Sequence, residues 1–331
     1  MVAGGRVAVV GSANLDLVTV TPTLPRPGET LLATSYSEGP GGKGSNQAHA
    51  AARMGARVTF VGLRGDDAAG TYLAKTLEDE GVDVSTFGVT DGPSGRALVM
   101  VDAAAENSII VVPGSNAKLS ASDIARAGEA VQGADVVVCQ LEIPLDAVQA
   151  ARRACTGMFV LNPAPARVLP PDLLAGTDVL VVNETEYETV LGVPLPERLD
   201  DMADVAARPG TPGTIVATLG PRGAAVCTGG VVTLVSPPPV TVVDSTGAGD
   251  TFVGALAAEL ARGDDVLTAA RTAVVAASLS TQSLGAVSGM PRRDEVVRHL
   301  AESTSPEPAK GRPVLTTRPA SGHSHKEKHH T

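Results

Sequence analysis

Tryptophan is missing from this chain, and three tyrosines and four phenylalanines bring aromatic residues to only 2%. Few rings are therefore on hand to stack a substrate purine. Cysteine is scarce as well. Cys139, Cys155 and Cys227 are odd in number, far apart and without C-x-x-C spacing, which argues against a disulfide framework or zinc site and suits a reducing cytoplasm. Basic charge is short too: 26 Lys and Arg face 36 Asp and Glu, for a formal net charge of −10 and a pI near 5.1. The cations are scattered, so no nucleic-acid surface is expected, because a phosphate backbone is gripped by clustered Lys and Arg. No apolar run approaches membrane-spanning length, and Val7-Ala-Val-Val10 is too short for the apolar region of a signal peptide. An acidic protein that handles phosphate must rely on backbone amides, helix N-termini and bound cations.

What is present is enough for a full core: 43% of the 331 residues are apolar and 19% charged. Short β-branched runs at 7–10, 58–61, 136–140, 159–161, 179–182 and 215–218 alternate with Ala-rich helical patterns at 45–54, 69–80, 122–131, 145–154, 247–261 and 266–281. This is the α/β arrangement of a mostly parallel sheet with helices on both faces. The runs show little polar alternation, as expected of strands covered on both sides. Two stretches, 17–36 and 96–112, lack intervening helices, and the second reads as a hairpin. Together they predict a small separate sheet that covers a site or pairs with another subunit. Residues 6–302 thus form one domain, and 303–331, rich in Pro, Ser, Lys and His, read as a disordered tail.

Two glycine-rich segments carry the chemistry. Gly39-Pro-Gly-Gly-Lys-Gly44 fits G-x-G-x-x-G literally, but it follows the first strand by some thirty residues where a dinucleotide fingerprint follows directly, and Gly44 interrupts any Walker A Gly-Lys-Ser. Its plain reading is a helix opening that lets backbones pack closely. The second segment, Val243-Asp-Ser-Thr-Gly-Ala-Gly-Asp-Thr-Phe252, is more specific. Gly247 and Gly249 can gather amides at the start of an Ala-rich helix, where the helix dipole favours an anion, and Asp250 follows in the first turn. Beside a γ-phosphate that acid is placed to deprotonate an attacking hydroxyl; without one it is an ordinary helix-favouring acid.

Gly41-Gly-Lys-Gly-Ser-Asn-Gln47 and Asp244-Ser-Thr-Gly-Ala-Gly-Asp250 resemble the two signatures of the ribokinase/PfkB carbohydrate kinase family. Gly11-Ser-Ala-Asn-Leu-Asp16, Pro27-Gly-Glu-Thr30, Gln140-Leu-Glu142, Asn162-Pro-Ala-Pro-Ala166, Asn183-Glu-Thr-Glu186 and Thr218-Leu-Gly-Pro-Arg-Gly223 fall in the family's order, so the likeness spans residues 6–300. It implies a ribokinase-like three-layer sandwich with a small β-sheet lid.

By that resemblance, Asn14, Asp16, Gly42, Lys43, Asn46 and Glu142 line a sugar pocket, and carboxylates and amides suit adjacent hydroxyls. Asp250 is the implied base for the sugar's O5, and the Gly247, Ala248 and Gly249 amides stabilise the transferred phosphoryl group. Asn183 and Glu186 resemble the N-x-x-E element that organises Mg²⁺, partly through water. The same two residues also fit a helix cap, and the readings are compatible. Thr218, Gly220 and Gly223 look like the adenine-nucleotide loop, with Gly249 and Val274 on its other side; ribokinases often carry Asn or His where Val274 stands. Asp244, Thr246, Ser280, Ser283, Gly285 and Gly289 resemble a monovalent-cation loop in which carbonyls hold K⁺. His49 and His299, inside predicted helices, read as structural. The resemblance further implies a homodimer through the lid, with D-ribose and ATP as substrates. Other members acting on 2-deoxyribose, fructose or a nucleoside share this machinery, and a catalytically silent sugar-binding relative and a dinucleotide oxidoreductase are the competing classes.

Overall fold

A computed structural model describes residues 4–104 and 107–304. The tail expected from 303 onward lies outside them except for its first two residues, which end a helix. In chain order the first half runs β1 (Arg6–Val10), β2 (Asn14–Val20), β3 (Ser35–Gly41), α1 (Lys43–Arg53), β4 (Arg57–Gly65), α2 (Ala68–Asp79), β5 (Phe87–Thr90), β6 (Gly95–Val101) and β7 (Asn107–Val112). Next come α3 (Ala121–Arg126), α4 (Gly128–Gln132), β8 (Val136–Cys139), α5 (Leu145–Ala154), β9 (Met158–Leu161), α6 (Pro171–Ala175), β10 (Val179–Asn183), α7 (Glu184–Leu191) and α8 (Met202–Ala206). The chain closes with β11 (Thr214–Thr218), β12 (Ala224–Thr228), β13 (Val231–Val235), α9 (Ala248–Arg262), α10 (Val266–Ser280) and α11 (Arg293–Thr304).

The larger sheet has nine strands in the order β13-β12-β11-β10-β9-β8-β1-β4-β5. All neighbours from β11 to β5 pair in parallel, and only the β11–β12 and β12–β13 pairings at one edge are antiparallel, so β12 alone runs against the other strands. Because side chains alternate across a strand, each strand feeds two cores. Val7, Val9, Val136, Val138 and Val216 pack under α1, α2, α9, α10 and α11. Ala8, Val10, Val137, Cys139 and Ile215 pack under α3 to α8 on the opposite face. That is the three-layer sandwich. The expected helix at 122–131 is broken at Ala127, whose φ −83 and ψ 14 leave the helical region just before Gly128, a poor helix former.

The smaller sheet orders its four strands β3-β2-β6-β7. The stretches read as inserted do form it together, with a parallel β2–β6 pair at its centre. Strand β3 continues to Gly41, so the G-x-G-x-x-G match is half strand and half helix start.

Chain order places the working ends. From β1 the sheet grows one way to β4 and the other way to β8, a reversal of winding that opens a crevice at the carboxyl ends of the strands, where ligands bind in open α/β sheets. The segments just after β1, β8 and β9 and the carboxyl ends of β10 and β11 bring Ser12, Gln140, Asn162, Asn183 and Thr218 to that edge.

Candidate active site

Helices α1 and α9 start side by side above this edge, and small residues permit it. A Cβ on Gly254 would stand 2.5 Å from the Gln47 carbonyl and from the Ala50 side chain. This approach lets Asn46 and Gln47 of α1 reach Asp250, in the first turn of α9. Asn46 Nδ2 donates to Asp250 Oδ2 at 2.9 Å, and Gln47 Nε2 donates to Oδ1 at 2.9 Å. Gln47 is fixed in turn by Asn162 at 3.1 Å and by Gln140, whose Nε2 donates to Gln47 Oε1 at 2.6 Å. Asp250 is therefore buried with its carboxylate oriented by two amides, and each oxygen keeps lone pairs for a further donor. Asn46 Oδ1 is buried without a hydrogen-bond partner, a polar atom suited to receive a hydroxyl proton.

A second carboxylate, Glu142, accepts from Ser12 Oγ at 2.6 Å and from the Lys43 backbone N–H at 3.0 Å, tying the ends of β1 and β8 to the start of α1. Asp16 lies over Gly41, where a Cβ would meet its carboxylate at 2.1 Å. Burial pushes the Asp16 carboxyl up to about 7, with the charges of Glu142 and Asp250 adding to the effect. Burial alone works against the Lys43 ammonium, but Asp250, Glu142 and Glu186 outweigh it and hold its pKa above the ordinary value. The predicted sugar residues Asn14, Asp16, Gly42, Lys43, Asn46 and Glu142 thus converge with Asp250 on one crevice. Gly42 takes φ +86, and a Cβ there would lie 2.8 Å from the Asn14 amide nitrogen.

At the head of α9, Gly247 adopts a left-handed φ of +75 and packs against Ala286, which a Cβ would approach to 2.8 Å. Thr251 returns its N–H to the Gly247 carbonyl at 2.8 Å, while the Ala248 amide turns back to Ser245 O at 3.2 Å. Gly249 has open space where a side chain would be. The segments predicted to hold a cation do meet: Asp244 accepts from Thr246 N at 2.9 Å and Gly285 N at 2.8 Å, and although burial pushes its pKa up, the Thr246 hydroxyl and these two amides bring it below the ordinary value. Thr281 O receives the amides of Val243 and Asp244, and a Cβ on Gly289 would lie 2.4 Å from Ser280 O and 3.4 Å from Gly285 O. Converging carbonyls are the donor set a monovalent cation prefers. Ser283 is exposed on the same loop.

Asn183 and Glu186 form a complete capping box on α7, Asn183 Oδ1 accepting from Glu186 N at 2.8 Å and Glu186 Oε2 from Asn183 N at 2.9 Å. Burial raises the Glu186 pKa, and Asp250 contributes, so this carboxylate faces the crevice field while it caps. Thr218 ends β11, and Gly220 and Gly223 turn the chain with φ +53 and +89; a Cβ on Gly223 would strike Val235 O at 2.0 Å. Val274 is buried on α10 within the core and offers no polar group.

The pfkB family carbohydrate kinase profile matches residues 5–293. This chain belongs to the pfkB carbohydrate kinases. The kinase is 40% identical over 299 residues to a ribokinase of Bacillus subtilis, covering 89% of this chain and 99% of the relative. It is 35% identical over 302 residues to a deoxyribokinase of Salmonella typhi, covering 89% and 98%. It also superposes with a TM-score of 0.81 on the Arabidopsis thaliana ribokinase solved with ribose and ATP, at 34% identity and covering 90% and 99%. It is an enzyme, a sugar kinase of the ribokinase type.

The kinase uses side chains to which sequence reasoning gave no role. Gln47, Gln140, Asn162 and Ser12 stand inside the quoted motifs but hold the acids from behind, a function visible only once β1, β8 and β9 are adjacent. The signal for Ser12, Gln140 and Asn162 was a polar residue at the carboxyl end of an otherwise apolar run, whereas Gln47, inside α1, had none beyond the motif itself. Among the described residues, no helix is long and apolar enough to cross a membrane.

Proposed function

We propose that this kinase transfers the γ-phosphoryl group of ATP to O5 of D-ribose, yielding D-ribose 5-phosphate and ADP. The observation that carries this reading is the Asp250 carboxylate, buried at the N-terminus of α9 and held by Asn46 and Gln47 among Asp16, Lys43 and Glu142. Asp250 takes the proton of the 5-hydroxyl as that oxygen bonds to the γ-phosphorus, and the bond to the β,γ-bridging oxygen breaks to release ADP. The amides at Gly247 and Gly249 and the dipole of α9 stabilise charge on the moving group, the Ala248 amide joins them once it leaves Ser245 O, and Lys43 offsets the carboxylates around it. Asn14, Asp16, Gly42, Asn46 and Glu142 bind the remaining hydroxyls. Thr218, Gly220, Gly223 and Val274 line the nucleotide side.

Mg²⁺, when bound, would neutralise the phosphates, and Asn183 and Glu186 are the groups that would organise it. K⁺ would be held by the carbonyl-rich loops joined through Asp244, with Thr246, Ser280, Ser283, Gly285 and Gly289. The small sheet closes over the sugar, which excludes water and limits wasteful ATP hydrolysis. A second reading, 2-deoxyribose as the preferred sugar, draws support from the deoxyribokinase relative at 35% identity.

The test is ADP release from MgATP across D-ribose, 2-deoxyribose, fructose and adenosine, repeated with Na⁺ in place of K⁺. Preference for ribose with K⁺ stimulation is expected. Preference for another sugar would overturn the ribose assignment, and equal rates in both salts would overturn the cation site.

A further inference from the structure

Asn116 plays no part in the reading above, yet it is buried and its amide is fully engaged. Its Oδ1 accepts the Ala13 N–H at 3.0 Å, and its Nδ2 donates to the Ala13 carbonyl at 3.1 Å and to Asn14 Oδ1 at 2.8 Å. A backbone N–H can only donate and a backbone carbonyl only accept, so the Ala13 peptide dictates which end of the Asn116 amide is nitrogen. The atom of Asn14 that faces Asn116 is then necessarily its oxygen. The Asn14 NH₂ is turned the other way. Gly95 makes room for this pair, since a Cβ there would stand 2.2 Å from both Asn116 Nδ2 and Asn14 Oδ1.

The pair also occupies a particular place. Asn14 opens β2 and lies in register with Gly41, the last residue of β3, and with Gly95, the first of β6. Asn116 sits in the turn Gly114–Lys118 that directly follows β7. Every strand of the small sheet therefore joins the main body beside this one amide pair.

We propose that Asn116 is a positioning residue that locks Asn14 as a donor-only group in the sugar pocket. The inference rests on the sugar-kinase reading and deepens it. A hydroxyl facing Asn14 is received through its oxygen and must send its own proton to a neighbouring acceptor, for which Asp16 is available. Without Asn116 the Asn14 amide is free to turn by half a rotation and present its oxygen instead. Substitution Asn116→Asp forces that reversal, because a carboxylate beside Asn14 accepts only and draws the Asn14 NH₂ toward itself.

The test is calorimetric titration of sugar and of nucleotide into wild type, N14A, N116A and the N14A/N116A double variant. The sugar is whichever one wild type phosphorylates best, so a failure of the ribose assignment appears in wild type alone. N116A and N14A are each expected to weaken sugar binding about tenfold, and the double variant no more than N14A, with nucleotide affinity unchanged. Additive losses, or equal losses of sugar and nucleotide affinity, would overturn the proposal. If N116A does not fold, ¹⁵N-asparagine labelling of wild type decides instead, since the chain has six asparagines. The Asn14 side-chain NH₂ signal must shift on sugar binding while that of Asn116 stays protected from exchange; an unmoved Asn14 signal overturns the assignment.

Discussion

Asp16, half-buried, and Asp250, buried, are two acids of one crevice, but they are expected to respond differently to change. The Asp16 carboxyl titrates at about 7, against an ordinary 3.8. Between those values the folded protein keeps a proton that the unfolded chain has released, so this group's contribution to stability falls as pH rises across the window. Sugar binding has the opposite dependence, because the charged carboxylate accepts from more hydroxyls than the protonated one. KM for the sugar is therefore expected to rise as pH falls through about 7, and Asp16→Asn to flatten that profile while raising KM throughout. A profile unchanged in the variant would assign the titration to another group. Asp250→Asn is expected to lower kcat by about a thousandfold with nucleotide affinity retained, the range expected for loss of a positioned general base. Turnover near the wild-type rate would remove Asp250 from that role.

At the scale of elements, the site depends on how closely α1 and α9 lie. Gly254 permits a contact that no other residue type does, so Gly254→Ala should move α1 and the two amides that orient Asp250. We expect a loss of about 1–3 kcal/mol in denaturant unfolding and a kcat loss larger than the change in nucleotide KM. Wild-type kcat with the stability loss alone would show that the amides tolerate the shift. The far end of α1 is tied as well. Arg53 donates to the carbonyls of Val287 and Met290 at 2.6 and 2.8 Å and pairs with Glu80, fastening the segment after Gly285 to the helix that carries Asn46 and Gln47.

The whole molecule presents an unusual surface on its small sheet. Ile109 and Ile110 are 55% and 57% exposed, with Leu98, Val111 and Val112 beside them. Exposed aliphatic rows on a sheet mark a pairing surface or an aggregation risk. If the small sheets of two copies pair, as the family resemblance implies, the I109K/I110K variant should shift a dimer to monomer in light scattering and raise the KM for the sugar. A wild-type monomer at micromolar concentration would remove the dimer without touching the chemistry.

The alternation of β-branched runs with Ala-rich helices determined the sandwich, since strands buried on both faces need unbroken apolar side chains. The two glycine motifs carried the family likeness, and with it the sugar-kinase assignment, because a helix opened by glycines and followed at once by an acid is a pattern of residue types that the sequence shows directly. Strands β5, β12 and β13 left little trace: β5 and β13 lie at the sheet's edges, and an edge strand half in water needs no strict pattern. The spacing of Asn183 and Glu186 could state that a cap was possible, but not that Glu186 caps and faces the crevice at once. What only tertiary structure decided is which distant groups meet. Asp250 and Gln47 are 203 residues apart, and Ala13 and Asn116 are 103 apart. Sequence periodicity reports which side of its own helix or strand a residue occupies, whereas the neighbour across a crevice is set by strand order, and that order belongs to the assembled sheet.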